Sequence, residues 1–155
     1  MKVIFLDIDG VLNSYRNALA YEAFPFPNED DKINGADNKY KESNLDPIAI
    51  GMVRRLCEKT GAKIVLHSTW RNHVNPEAFG RKYNLPIIAG TSGTMDKPES
   101  IRDWLDTTNR NVTVVQKYVI IDDDNMKDPE NQVVTDMSNG FLSADYEKAL
   151  QLLED

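Results

Sequence analysis

The sequence predicts one α/β domain: a mainly parallel sheet, helices on both faces and a small insertion after the first strand. Three observations carry this. Short continuous apolar runs such as KVIFL and YVII have the length and β-branched content of strands buried on both faces. Between them lie segments with apolar residues at helical spacing. Strands and helices alternate along the chain, and right-handed crossovers turn that order into a parallel sheet.

Lys2 to Leu6 is the first strand. Asp46-Pro47 reads as an N-cap with proline in the first turn of a helix. Ala49, Met52, Val53, Leu56 and Cys57 give that helix its apolar face, and Gly61 stops it. A second strand spans Lys63 to His67. Asn75-Pro76 opens a short helix reaching Tyr83, and Leu85 to Ala89 forms a short strand. A helix beginning near Pro98 carries Ile101, Trp104 and Leu105 on one face. Tyr118 to Ile121 is a strong strand ending in Asp122-Asp123-Asp124, and Gln132 to Thr135 is a shorter one. Ser143 caps a final helix with Tyr146, Ala149, Leu150 and Leu153 inward.

Residues 13–45 interrupt the alternation. This stretch holds aromatics and two prolines, followed by acids and glycine. Loops beyond about 12 to 15 residues are uncommon in compact domains unless they serve as lids or binding loops. Tyr21, Phe24 and Phe26 are costly in a merely solvated loop, so the segment reads as an active-site flap or minimal cap, with a disordered surface insertion the alternative.

The 155 residues suffice for one core without staples, and the composition, 41% hydrophobic and 28% charged, is that of an ordinary globular protein. No apolar run approaches the roughly 20 residues that cross a bilayer, and the N-terminus lacks a secretory h-region. A cytoplasmic location is the expectation. Cys57 is the single cysteine, which excludes a disulfide framework and a cysteine metal site. With 25 acidic against 18 basic residues, the net charge of −7 disfavours tight binding to long nucleic acid through phosphate neutralisation. No tight sequence-specific duplex binding is expected, but a site for one phosphate at a chain end stays open.

Three strands end in polar, potentially reactive residues: Asp7 and Asp9, Ser68 and Thr69, Asp122 and Asp123. In open α/β sheets the ligand crevice lies outside the carboxyl ends of the strands, so these groups can converge. Clustered carboxylates repel one another unless a cation supplies the missing charge, and hard oxygen ligands of this kind favour Mg²⁺.

The order of these pieces resembles the haloacid dehalogenase-like (HAD) phosphohydrolase superfamily. Its DxDG motif matches Asp7-Ile8-Asp9-Gly10, and its strand ending in Ser or Thr matches IVLHS at Ser68, with Thr69 the alternative. Its basic residue near a helix start matches Lys97, with Arg71 a second basic candidate, and its paired acids match Asp122 and Asp123. LDIDGVLN, GAKIVLHSTWR and NGFLSADYEKALQLL look most like the small HAD domains of RNA-repair proteins.

The resemblance implies a single Rossmann-like domain and a Mg²⁺-dependent phosphomonoesterase. Asp7 would be the nucleophile that forms an aspartyl-phosphate, and Asp9 the general acid and then base. Gly10, Ser68, Thr69 and Lys97 would bind phosphate. Mg²⁺ would be held by Asp7, the Asp9 backbone carbonyl and Asp122, with Asp123 ligating through water or orienting Lys97. The implied substrate is a nucleotide or a nucleic-acid terminal phosphate, with a small metabolic phosphate ester as the runner-up. A receiver-type signalling module is disfavoured because there the acid pair comes early and the phosphoacceptor later. A non-catalytic phospho-binding scaffold is disfavoured by the intact acids. His67 reads as a core histidine, His73 as a loop residue and Trp104 as core. Trp70 reads as packing, with stacking on a base the alternative.

Overall fold

The structure is a computed structural model and describes residues 1–23 and 42–154. Its apolar runs become β1 (Lys2–Leu6), β2 (Lys63–Leu66), β3 (Ile87–Gly90), β4 (Lys117–Asp122) and β5 (Gln132–Val134). The helices are α1 (Tyr15–Ala23), α2 (Pro47–Thr60), α3 (Pro76–Tyr83), α4 (Lys97–Asn111) and α5 (Ser143–Leu153). The strands form one parallel sheet in the order β3-β2-β1-β4-β5, with Leu6 in register with both Leu66 and Ile121.

Side-chain alternation along each strand divides the core into two layers. Ile4, Leu6, Ile64, Leu66, Val119 and Ile121 pack with the apolar faces of α2 and α5. Val3, Phe5, Val65 and Ile120 pack with Ile101, Trp104 and Leu105 of α4. The Phe5 and Trp104 rings meet edge to face at 5.5 Å. Cys57 is buried in the α2 layer, and burial pushes its thiol up to about 12, so it is an inert packing residue.

The helix starts follow from their caps. Asp46 accepts from the Ile48 N–H at 2.8 Å, Asn75 from the Ala78 N–H at 2.9 Å and Asp96 from the Glu99 N–H at 2.8 Å. In each case proline stands in the first turn, and Gly61 ends α2 at φ +71°. The Asp96 cap fixes Lys97 as the first residue of α4, which sets up the site below.

Three expectations are corrected. Ser143 lies inside α5; the cap position is Leu142, whose N–H is taken by the Asp145 carboxylate at 2.9 Å. β3 starts two residues later than the apolar run Leu85 to Ala89, because Leu85 closes the end of α3 through a bond from its N–H to the Gly80 carbonyl. The segment 13–45 is not uniformly loop. Ser14 Oγ accepts from the Asn17 N–H at 3.1 Å and starts α1, and a 3-10 turn spans Glu42–Asn44. Phe24 and Phe26 lie outside the described residues, as does the rest of 24–41, and the Tyr21 side chain is likewise not described.

Candidate active site

β1 and β4 are neighbours at the point where the strand order reverses, the place where an open α/β sheet leaves a crevice at its carboxyl ends. Backbone bonds extend the ladder one residue past the strands: Asp7 N–H to the Ile121 carbonyl (3.0 Å), His67 N–H to Leu6 (2.7 Å) and Thr135 N–H to Asp122 (3.0 Å). Asp7 continues the Val3–Phe5 face and Asp122 the Ile120 face, so both carboxylates share the side on which α4 begins. The conformation that buries the strands therefore delivers these two acids to one spot.

Lys97 bridges them. Its Nζ lies 2.9 Å from Asp7 Oδ2, 2.9 and 3.0 Å from the two Asp122 oxygens and 3.0 Å from Asp124 Oδ2. Burial pulls the lysine pKa down, but the Asp7 and Asp122 charges outweigh it and hold it above the ordinary lysine range. Asp7 is 4% exposed and Asp122 fully buried. Burial and then the Asp7 charge push Asp122 up to about 8, with Lys97 pulling the other way. Asp123 is raised for the same first two reasons. Asp7, Asp122, Asp123 and Asp124 outnumber the one ammonium, so the cluster carries excess negative charge.

Carboxylate oxygens of Asp7, Asp122 and Asp123 lie within 4.8 Å of one another. That is little more than the about 4 Å spanned by opposite ligands of an octahedral ion of Mg²⁺ size. A hard, all-oxygen donor set with uncompensated charge fits a divalent cation. The Asp9 carboxylate is not part of this triad. Its Oδ1 accepts from Asn13 Nδ2 at 2.7 Å and from Trp70 Nε1 at 3.1 Å.

Gly10 has a steric reason beyond a sharp turn near phosphate. It sits at φ +73°, and a Cβ there would lie 2.6 Å from Asp123 Cγ. The missing side chain makes room for Asp123, and the Gly10 carbonyl is held by Thr135 Oγ1 at 2.7 Å.

The two basic candidates separate cleanly. Lys97 enters the carboxylates, whereas Arg71 donates from Nη1 to the Ser68 carbonyl (2.6 Å) and from Nη2 to the Ser92 carbonyl (2.9 Å). Ser68 and Thr69 separate too. Ser68 is fully buried and its Oγ accepts from the Trp70 N–H at 3.4 Å, while Thr69 is exposed and lines the cavity. Trp70 is fully buried, which removes the option of stacking on a base. Asp123 is not among the Lys97 partners; Asp124 takes that place.

A family model described as the HAD domain in Swiss Army Knife RNA repair proteins matches residues 3–146, nearly the whole chain. The chain belongs to this family. No curated protein and no solved structure matches it. No helix among the described residues is long and apolar enough to cross a membrane.

The HAD domain's acids open into a cavity of about 460 Å³ lined by Asp7, Asp9, Tyr15, Thr69, Lys97 and Met137 together with Asp123 and Asp124. Tyr15 is 66% exposed, and its N–H is bonded to the Met137 carbonyl at 2.9 Å, so the two wall residues are tied together. Neither was singled out by sequence: Tyr15 opens α1, and Met137 stands in the turn after β5. A larger hollow of about 600 Å³, lined for example by Arg54, Glu58 and Arg81, lies at the opposite end of the sheet from the aspartate cluster.

His67 lies beneath the HAD cluster as a core residue, edge-on to Phe5, with Nδ1 2.9 Å from Thr91 Oγ1. Burial, aided by Lys97, pushes its imidazole down to about 4 from an ordinary 6.5. The ring stays neutral in the fold and is charged in the unfolded chain below 6.5. Its stabilising contribution is thus present above that pH and is lost as pH falls toward 4. Urea unfolding of the native protein and His67→Asn at pH 7 and pH 5 measures this: acidification is expected to weaken the native protein by about 2 kcal/mol more than the variant.

Proposed function

We propose that this HAD domain is a Mg²⁺-dependent phosphomonoesterase that works through an aspartyl-phosphate on Asp7, with a nucleotide or a nucleic-acid terminal phosphate as substrate. The observation that carries the reading is the Lys97 ammonium shared between Asp7 and Asp122 at the mouth of the switch-point crevice. A carboxylate nucleophile beside a fixed cation and an acid cluster is what transfer of a dianionic phosphoryl group requires.

In the first half-reaction an Asp7 oxygen forms a bond to phosphorus while the bond to the ester oxygen breaks. Asp9 gives its proton to that departing oxygen. In the second, Asp9 takes a proton from water as the water oxygen attacks phosphorus, and the Asp7–phosphorus bond breaks to release inorganic phosphate. Lys97 balances the charge that passes through the transferring group, and Thr69 donates to one of its oxygens. Ser68 supports the turn beneath. Asp7, Asp122, Asp123 and the Asp9 carbonyl would hold the Mg²⁺, whose charge would stabilise the phosphoryl oxygens.

The leaving group then meets Tyr15 and Met137. An exposed aromatic ring on the wall suits a nucleobase, and Tyr15 of α1 stands within the stretch that the sequence reads as a flap. Tyr15→Ala is expected to raise KM for nucleotide substrates roughly 5- to 100-fold, with kcat little changed, the scale of one base–aromatic stack. A small phosphate ester remains the second reading, favoured by Lys97 being the one cation among the described residues lining the cavity.

A Mg²⁺ phosphatase panel tests the proposal, comparing the native protein with Asp7→Asn and Asp9→Asn on phosphorylated oligonucleotides, nucleoside monophosphates and sugar phosphates. Activity of the native protein alone on nucleotides or oligonucleotide ends supports it. Hydrolysis of sugar phosphates only transfers the reading to small esters, and equal activity in all three proteins overturns the mechanism.

A further inference from the structure

The Asp9 carboxylate is gripped from one side. Trp70 Nε1 and Asn13 Nδ2 both donate to Oδ1, at 3.1 and 2.7 Å. Asn13 is itself oriented, because its Oδ1 accepts the Gly10 N–H at 3.0 Å, which fixes which end of the amide faces Asp9. Trp70 cannot follow a moving partner. It is fully buried in the turn after β2, with its ring against Phe79 of α3 at 6.3 Å.

An indole N–H and an amide NH₂ are donors with no acceptor capacity. An acid proton cannot therefore sit on Oδ1 facing them, and it must reside on Oδ2. The same two bonds can form whether Asp9 is a carboxylate or a carboxylic acid, since Oδ1 is an acceptor in both. A group flanked by donors alone keeps one orientation through a change of protonation state.

We propose that Trp70 and Asn13 are positioning residues that lock Asp9 so that Oδ2 alone exchanges the proton in both half-reactions. This rests on the reading of Asp9 as the general acid and base. It assigns the buried tryptophan a second role beyond packing, carried by its N–H.

Leaving-group dependence tests it. A nucleoside 5′-monophosphate expels a strongly basic alkoxide that needs the proton, whereas p-nitrophenyl phosphate expels a stable phenolate that does not. kcat/KM reports the steps up to formation of the phosphoenzyme, so it isolates the proton donated to the leaving group. Trp70→Phe keeps an aromatic ring and removes the N–H. It is expected to lower kcat/KM for the nucleotide about 10- to 100-fold and for p-nitrophenyl phosphate less than about 3-fold. Asn13→Ala, at a half-buried position, gives the same readout should Trp70→Phe fail to fold. Equal losses on both substrates, or no loss on either, overturn the proposal. Asp9→Asn is the control for the underlying reading: if it shows no selective loss on the nucleotide, the role of Asp9 itself is wrong. If it does and the Trp70 and Asn13 variants do not, only the lock is.

Discussion

Asp7→Asn is expected to lower turnover by at least about 10³-fold while leaving the metal-free protein as stable as the native one or more so. The amide matches the carboxylate in shape, so the ladder bond from Asp7 N–H to Ile121 and the packing around it survive. What disappears is a buried negative charge and, in the proposed mechanism, the nucleophilic oxygen. After burial, that charge contributes most to holding the Asp122 and Asp123 carboxyls above the usual carboxylate range, so its removal relieves repulsion in the cluster. Lys97 keeps its two bonds to Asp122 and its contact with Asp124. Steady-state kinetics alongside thermal unfolding without metal checks both halves. A variant that is inactive because it is unfolded would contradict the prediction as surely as one that is fully active.

Lys97→Met separates charge from chain length. The thioether fills the aliphatic path but cannot bond Asp7, Asp122 or Asp124, which leaves two buried acids facing each other without a counter-charge. Removing one partner of a fully buried pair costs about 3–5 kcal/mol. The Lys97 side chain is 25% exposed, and Asp122 can take up a proton, so a loss of about 2–3 kcal/mol is expected in metal-free protein at neutral pH. kcat should fall about 10²- to 10³-fold, the scale of one preorganised charge on a developing transition state. Mg²⁺ should restore more stability to the variant than it adds to the native protein, because the cation takes over the missing charge. Urea unfolding with and without Mg²⁺ reads this directly, and equal gains in the two proteins would exclude the acid triad as the metal's seat.

The strands and most helices were legible because each is a local pattern: a β-branched run, an Asp or Asn before proline, a glycine stop. α1 was hidden among aromatics and prolines, although Ser14 three residues before Asn17, followed by Ala18, Leu19 and Ala20, is a capping signal with helix formers behind it. The site was legible in its acids and less so in its geometry. Asp7, Asp9, Lys97 and Asp122 stand at strand and helix ends that local rules identify. By contrast, the choice of Lys97 over Arg71, of Thr69 over Ser68 at the cavity, and of Asp124 over Asp123 at the lysine depends on contacts between distant segments. Gly10 shows the same limit. Its lack of a side chain is explained by Asp123, which arrives from the carboxyl end of β4, more than a hundred residues later in the chain. Trp70 was rightly placed in the core, but an indole N–H reaching an acid 61 residues away in sequence leaves no periodic trace.

The stereochemical course at phosphorus tests the central claim most directly. With a phosphorothioate substrate whose phosphorus carries sulfur and two oxygen isotopes, hydrolysed in water of the third isotope, transfer to Asp7 and then to water is two in-line displacements, each of which inverts the centre. The account predicts net retention of configuration in the inorganic thiophosphate released. Net inversion would mean that water attacks the substrate in a single step, and Asp7 would not be the nucleophile.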